Sequence, residues 1–118
     1  MTESVDGIDD NVPGAMNPAV PAGNHLVIDH GNGEYSLLAH FRKGTVTVKT
    51  GDKVDAGQLL GRCGNSGNSS EPHVHYHLQT TAIFGKGEGL PAQFQRYYAD
   101  GNWVERGEPT RGQNLRVP

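Results

Sequence analysis

Backbone punctuation constrains this chain more than any other feature. Its 118 residues include 17 glycines and 7 prolines, about a fifth of the sequence, against roughly 12% in ordinary proteins. Glycine costs about 1 kcal/mol and proline about 3 kcal/mol in a helix interior, so a helical bundle is excluded. The apolar residues between the breakers come in short runs, and none approaches the roughly 18 residues of a membrane-spanning helix. Short strands joined by tight turns remain. Turn signals spaced at about 8–12 residues suit an all-β sandwich or barrel.

The length supports one domain, expected over residues 1–118 with a loop-rich lead-in over 1–23. In the lead-in, Asp9-Asp10, Pro13-Gly14, Asn17-Pro18 and Pro21 leave room for no periodic element beyond about four residues. Residues 25–30 and 34–40 alternate as strands around Gly31-Asn32-Gly33, the pattern of a β-hairpin. Further strands are expected at 45–49 and 58–63, on either side of a turn at Gly51-Asp52. Residues 64–70 are turn formers throughout, and Pro72 leads into a strand over 73–80. Pro91 suits the first turn of a short helix over 91–99, the one helix the sequence suggests. The expected fold is a small antiparallel β-sandwich or barrel-like domain with one short C-terminal helix.

Charge narrows the partners. Four lysines and six arginines lie scattered among 13 acids, for a net charge of −3. No basic stripe exists to neutralise phosphates, so a nucleic-acid partner is not expected. The single cysteine, Cys63, permits no internal disulfide and reads as a small core residue.

Six histidines are the compositional excess that points to chemistry. On the 73–80 strand, His73, His75 and His77 share one face, with Val74, Tyr76 and Leu78 on the other. Alternate residues have Cα atoms roughly 6.5–7 Å apart, so two imidazoles of His73-Val74-His75 can converge on one small target such as a metal ion. His77 is expected to be polar surface, Asp9-Asp10 a solvated pair and Glu71 a loop-entry residue. Phe94, Tyr97, Tyr98 and Trp103 read as packing, with a glycan or peptide groove as the alternative.

The chain resembles the M23 family of zinc metallopeptidases, of the lysostaphin and LytM type. The resemblance is carried by Val27-Ile28-Asp29-His30-Gly31-Asn32-Gly33, Leu38-Ala39-His40, Val48 through Gly51, Leu60-Gly61, Gly64-Asn65-Ser66-Gly67 and Pro72-His73-Val74-His75. It implies a β fold of the duplicated hybrid motif type, Zn2+ as cofactor, and hydrolysis of peptide bonds in peptidoglycan cross-links or another peptide. It implies His75 as a zinc ligand, His73 as the catalytic histidine that activates or orients the attacking water, and His40 as its oxyanion-stabilising companion. Periplasmic, secreted or cell-surface placement goes with the family.

One departure matters. The family's zinc site also draws a His and an Asp from an upstream H-x-x-x-D motif, and no histidine precedes His25. His25 and Asp29 fit the spacing, but on a strand they lie about 13 Å apart, too far to chelate one ion easily. The domain is therefore expected to be N-terminally incomplete. An exposed sheet edge, and a homodimer through it, are expected to follow. The alternative is a degenerate, non-enzymatic module that binds cell wall or a partner hydrolase. The run from Val48 to Gly61 also resembles biotinyl and lipoyl carriers, without their lysine-bearing hairpin tip.

Overall fold

The computed structural model describes residues 3–83, 86–110 and 113–117. Its regular elements are all strands: β1 (Glu3–Val5), β2 (Asn24–Asp29), β3 (Tyr35–Phe41), β4 (His75–Gln79), β5 (Gly89–Leu90), β6 (Phe94–Ala99), β7 (Asn102–Gly107) and β8 (Leu115–Arg116). They form an antiparallel five-stranded sheet, ordered β1-β2-β3-β4-β5, and a three-stranded one, β7-β6-β8. The all-β expectation holds. The edges of the larger sheet are only three and two residues long, so neither offers a long pairing template to a second chain.

The central hairpin lies where the alternation places it. Leu26 faces Leu38 and Leu38 faces Tyr76, while Val27, Leu37 and His77 align on the opposite face. The first face packs against the 45–60 segment, while Val27 and Leu37 on the opposite face are buried too. Leu26, Phe41 and Val48 are buried together, with Leu38, Val46, Val54 and Leu60 packed around them. The core thus lies between the sheet and the 45–60 segment.

Three local expectations need correction. Residues 91–99 are not helical: β6 occupies Phe94–Ala99 and turns through Asp100-Gly101 into β7. Asp100 and Gly101 both have positive φ, at 49° and 82°, which is the two-residue type I′ hairpin turn that Asp-Gly favours. Tyr97, Tyr98, Trp103 and Val104 supply the β-favouring flanks. That signal outweighs a proline three residues before the strand.

The 45–49 and 58–63 segments run side by side without closing a ladder. Thr47 N donates to the Leu60 carbonyl at 3.0 Å and Arg42 N to that of Arg62 at 2.9 Å. Phe41 and Cys63 form an isolated bridge. Side chains take other places in this pairing, Thr47 Oγ1 donating to Leu59 and Thr45 Oγ1 accepting from Arg62 N. Cys63 is exposed rather than core. Trp103 is also half exposed, standing edge-on to Tyr98 at 5.2 Å between ring centroids.

Candidate metal centre

A β-bulge creates the site. Asn24 pairs with Phe41 and Leu26 with Leu38, so Ala39 and His40 of β3 together oppose the single residue His25. His40 takes φ +67°, a left-handed conformation that costs a non-glycine residue about 1–2 kcal/mol. The extra residue re-aims the strand. Strict alternation would put His40 on the core face with Leu38. Instead its ring lies 4.8 Å from that of His73 and 5.8 Å from that of His75.

Surrounding bonds hold the strained residue in place. His40 N donates to the Ala22 carbonyl at 3.0 Å, and its Nδ1 lies 2.7 Å from the Ser66 carbonyl. A carbonyl only accepts, so Nδ1 carries the proton and Nε2 keeps its lone pair. Ser66 Oγ donates to the Phe41 carbonyl and accepts from Asn24 N. The Asn24 side chain donates to the Ile8 and Phe41 carbonyls and accepts from Ile8 N. This buried polar network is satisfied throughout, so it stabilises the bulge rather than penalising it.

His73 and His75 arrive from the other segment. His73 N donates to the Gly64 carbonyl, and its Nδ1 lies 2.9 Å from the Glu71 carbonyl and 3.1 Å from Ser69 Oγ. Nδ1–H therefore donates to Glu71, and Nε2 stays open. His75, opposite Ala39, places Nε2 3.0 Å from Nδ1 of His77. One candidate ligand atom from each of His40, His73 and His75 lies within 4.8 Å of the others. Desolvation pushes the His40 pKa below the ordinary imidazole value, with a lesser lowering by His73 against the raising bond to Ser66. His75 is lowered by burial first and then by His77, His40 and His73. Neutral rings are the form that binds a metal.

A small open cavity of about 130 Å³ adjoins the cluster, lined by Pro21, Ala22, Ala39, His40, Asn68 and His75. Its wall joins the lead-in to the 64–70 loop. Asn17 N donates to the Gly67 carbonyl and Asn68 N to that of Pro21.

The remaining candidates lie elsewhere. His25 binds the Gly23 carbonyl and Glu3, and Asp29 accepts from Gly31 N. Asp9 pairs with Lys43 at 2.7 Å, while Asp10 accepts from Lys43 N and Asn65 N. These acids latch the lead-in to its neighbours. Ser66, Asn68, Ser69 and Gln79 support or line the site without a functional signature in the sequence. The turn-forming run from Gly64 to Ser70 was the available signal for the first three.

The model of peptidase family M23 matches residues 11–88, about two thirds of the chain. The chain belongs to peptidase family M23. The M23 span contains His40, His73 and His75 together. Among similar proteins is the peptidoglycan DD-endopeptidase ShyA of Vibrio cholerae, 46% identical over 57 residues, which are 48% of this chain and 13% of ShyA. ShyC of the same organism, also a peptidoglycan DD-endopeptidase, is 34% identical over 61 residues, 52% of this chain and 14% of ShyC. The glycyl-glycine endopeptidase ALE-1 of Staphylococcus capitis is 46% identical over 36 residues, 30% of this chain and 10% of ALE-1. The matched part is thus a small fraction of the length of each relative. Among the described residues, the donor set of this M23 cluster is three imidazoles without a carboxylate. Nitrogen donors of that kind suit zinc better than the oxygen-seeking Ca2+ or Mg2+.

Proposed function

We propose that this chain carries the catalytic histidines of a zinc-dependent endopeptidase that hydrolyses peptide bonds in peptidoglycan cross-links, residues 1–118 acting as one domain. The observation that supports this most is the meeting of His40, His73 and His75, from two separated β segments, within 4.8 Å. The DD-endopeptidase relatives supply the substrate class. When bound, zinc supplies Lewis-acid polarisation of a peptide carbonyl and a nucleophile active near neutral pH.

His75 is assigned as the metal ligand of this set, through a neutral ring nitrogen. His73, held at Nδ1 by Glu71, offers Nε2 to take a proton from the attacking water. His40 is held at Nδ1 by Ser66, and its Nε2 stabilises charge developing on the carbonyl oxygen as a donor after taking up the proton released by the attacking water. The fixed Nδ1 bonds supply orientation in advance, so neither ring must reorganise during the reaction. Pro21, Ala22 and Asn68 wall the adjoining cavity, where part of the peptide would lie.

The purified chain, supplied with zinc and cross-linked muropeptides, tests this by metal analysis and chromatography of the products. Cleavage that disappears in His40→Ala and His75→Ala is the expected result. Absence of both zinc and cleavage would overturn it. A second reading rests on the absence of a carboxylate from the described cluster. It makes the chain a non-hydrolytic module for cell wall or a partner hydrolase, and sedimentation with sacculi without cleavage would favour it.

A further inference from the structure

His75, His77 and Gln79 occupy alternate positions of β4, opposite Ala39, Leu37 and Tyr35, so their side chains share one sheet face. Their polar atoms connect in sequence. Gln79 is buried, and its Nε2 donates to the Thr81 carbonyl at 2.8 Å and the Ile83 carbonyl at 3.0 Å. Carbonyls only accept, so these two bonds fix which end of the amide is nitrogen. Gln79 Oε1 then faces Nε2 of His77 at 2.6 Å. An amide oxygen also only accepts, which requires the proton of neutral His77 to lie on Nε2. His77 Nδ1 is consequently an acceptor, and it lies 3.0 Å from Nε2 of His75. His75 must donate that bond, leaving its Nδ1 as the unprotonated atom.

We propose that His77 and Gln79 are positioning residues: they transmit a donor–acceptor direction from the Thr81 and Ile83 carbonyls to His75 and hold its Nδ1 open for a metal ion. The proposal rests on the assignment of His75 as a ligand. It gives a purpose to a histidine otherwise read as surface. Outer hydrogen-bond partners of a ligating histidine fix its tautomer and orientation, and their loss costs about 10–100-fold in metal affinity. A merely structural His77 would carry no such direction.

The test uses the full chain labelled with 15N-histidine, metal-free at about pH 8, where ordinary imidazoles are neutral. Two-bond 1H–15N correlations read each tautomer. His75 and His77 are both expected as Nε2–H. In His77→Phe the His75 ring is expected to populate both tautomers, with Co2+ affinity lowered about 10–100-fold. In His77→Asn, whose Oδ1 can accept from His75, the Nε2–H form returns. Finding His75 as Nδ1–H in the unmodified chain would overturn the relay, and this outcome needs no variant to fold. An unchanged His75 tautomer in a folded His77→Phe would overturn it too. The two readings fail separately. A chain that binds no metal but shows the expected tautomers keeps the relay and loses the metallopeptidase assignment. A chain that binds zinc with His75 as Nδ1–H does the reverse.

Discussion

Replacing Gly67 with alanine would strike the junction that aims His40. Gly67 has φ +79°, and a Cβ built there would lie 2.4 Å from Gly23 N, 2.6 Å from the Val20 oxygen and 2.7 Å from the Pro21 oxygen. All three are backbone atoms, so no side chain can swing aside. The left-handed conformation alone costs alanine about 1–2 kcal/mol. Relief of the clash requires the 20–23 segment to withdraw, loosening the bonds from Asn17 N to Gly67, from Asn68 N to Pro21 and from His40 N to Ala22. At about 0.5–1.5 kcal/mol each, these bring the expected loss to roughly 3–6 kcal/mol. Gly57 provides the control, because its φ is +84° but nothing lies within 4 Å of its Cβ position. Gly57→Ala should therefore lose only about 1–2 kcal/mol. Urea denaturation followed by tryptophan fluorescence and circular dichroism measures both. Equal losses in the two variants would refute the claim that close approach at Gly67, rather than its φ, makes glycine necessary there.

Further outcomes follow from the same geometry. Ser66→Ala removes the acceptor of Asn24 N and a donor to the Phe41 carbonyl, and should lower the unfolding free energy by about 2–4 kcal/mol; a change below 1 kcal/mol in urea titration would contradict the network's role. Leu26→Ala opens the centre of the core and should cost about 2–5 kcal/mol, whereas Leu115→Ala, exposed at 54%, should change thermal stability little. The His40 and His75 pKa values are lowered on folding. The unfolded chain consequently binds more protons as pH falls below about 6.5, so stability is full above that value and declines as pH passes down through the folded values. Urea midpoints that rise on acidification from pH 7 to pH 5 would oppose this sign.

The sequence exposed the parts of this fold that depend on alternation. The β2–β3 hairpin follows from side-chain period and the Gly31-Asn32-Gly33 turn, and the placement of His73, His75 and His77 on one face follows from strand geometry. Pro91 suits a helix start, although the Asp100-Gly101 turn between aromatic flanks is the stronger local signal. The bulge was harder to see. Left-handed φ is announced by glycine or asparagine, whereas here a histidine adopts it because Ser66 and Ala22 hold it. Family resemblance implies a role for His40, and the extra residue in β3 explains how its ring reaches the His73 side. His77 looked like one more polar strand residue because its value depends on Gln79, whose orientation is set by carbonyls two and four residues further on.

Zinc titration of the 15N-histidine-labelled chain puts the convergence of the rings to the most direct trial. Resonances of His40, His73 and His75 should respond together at one stoichiometric equivalent, with His25 and His30 unmoved. Movement of His25 or His30 first, or no response of His75, would mean that the His40–His73–His75 cluster is not where the ion binds.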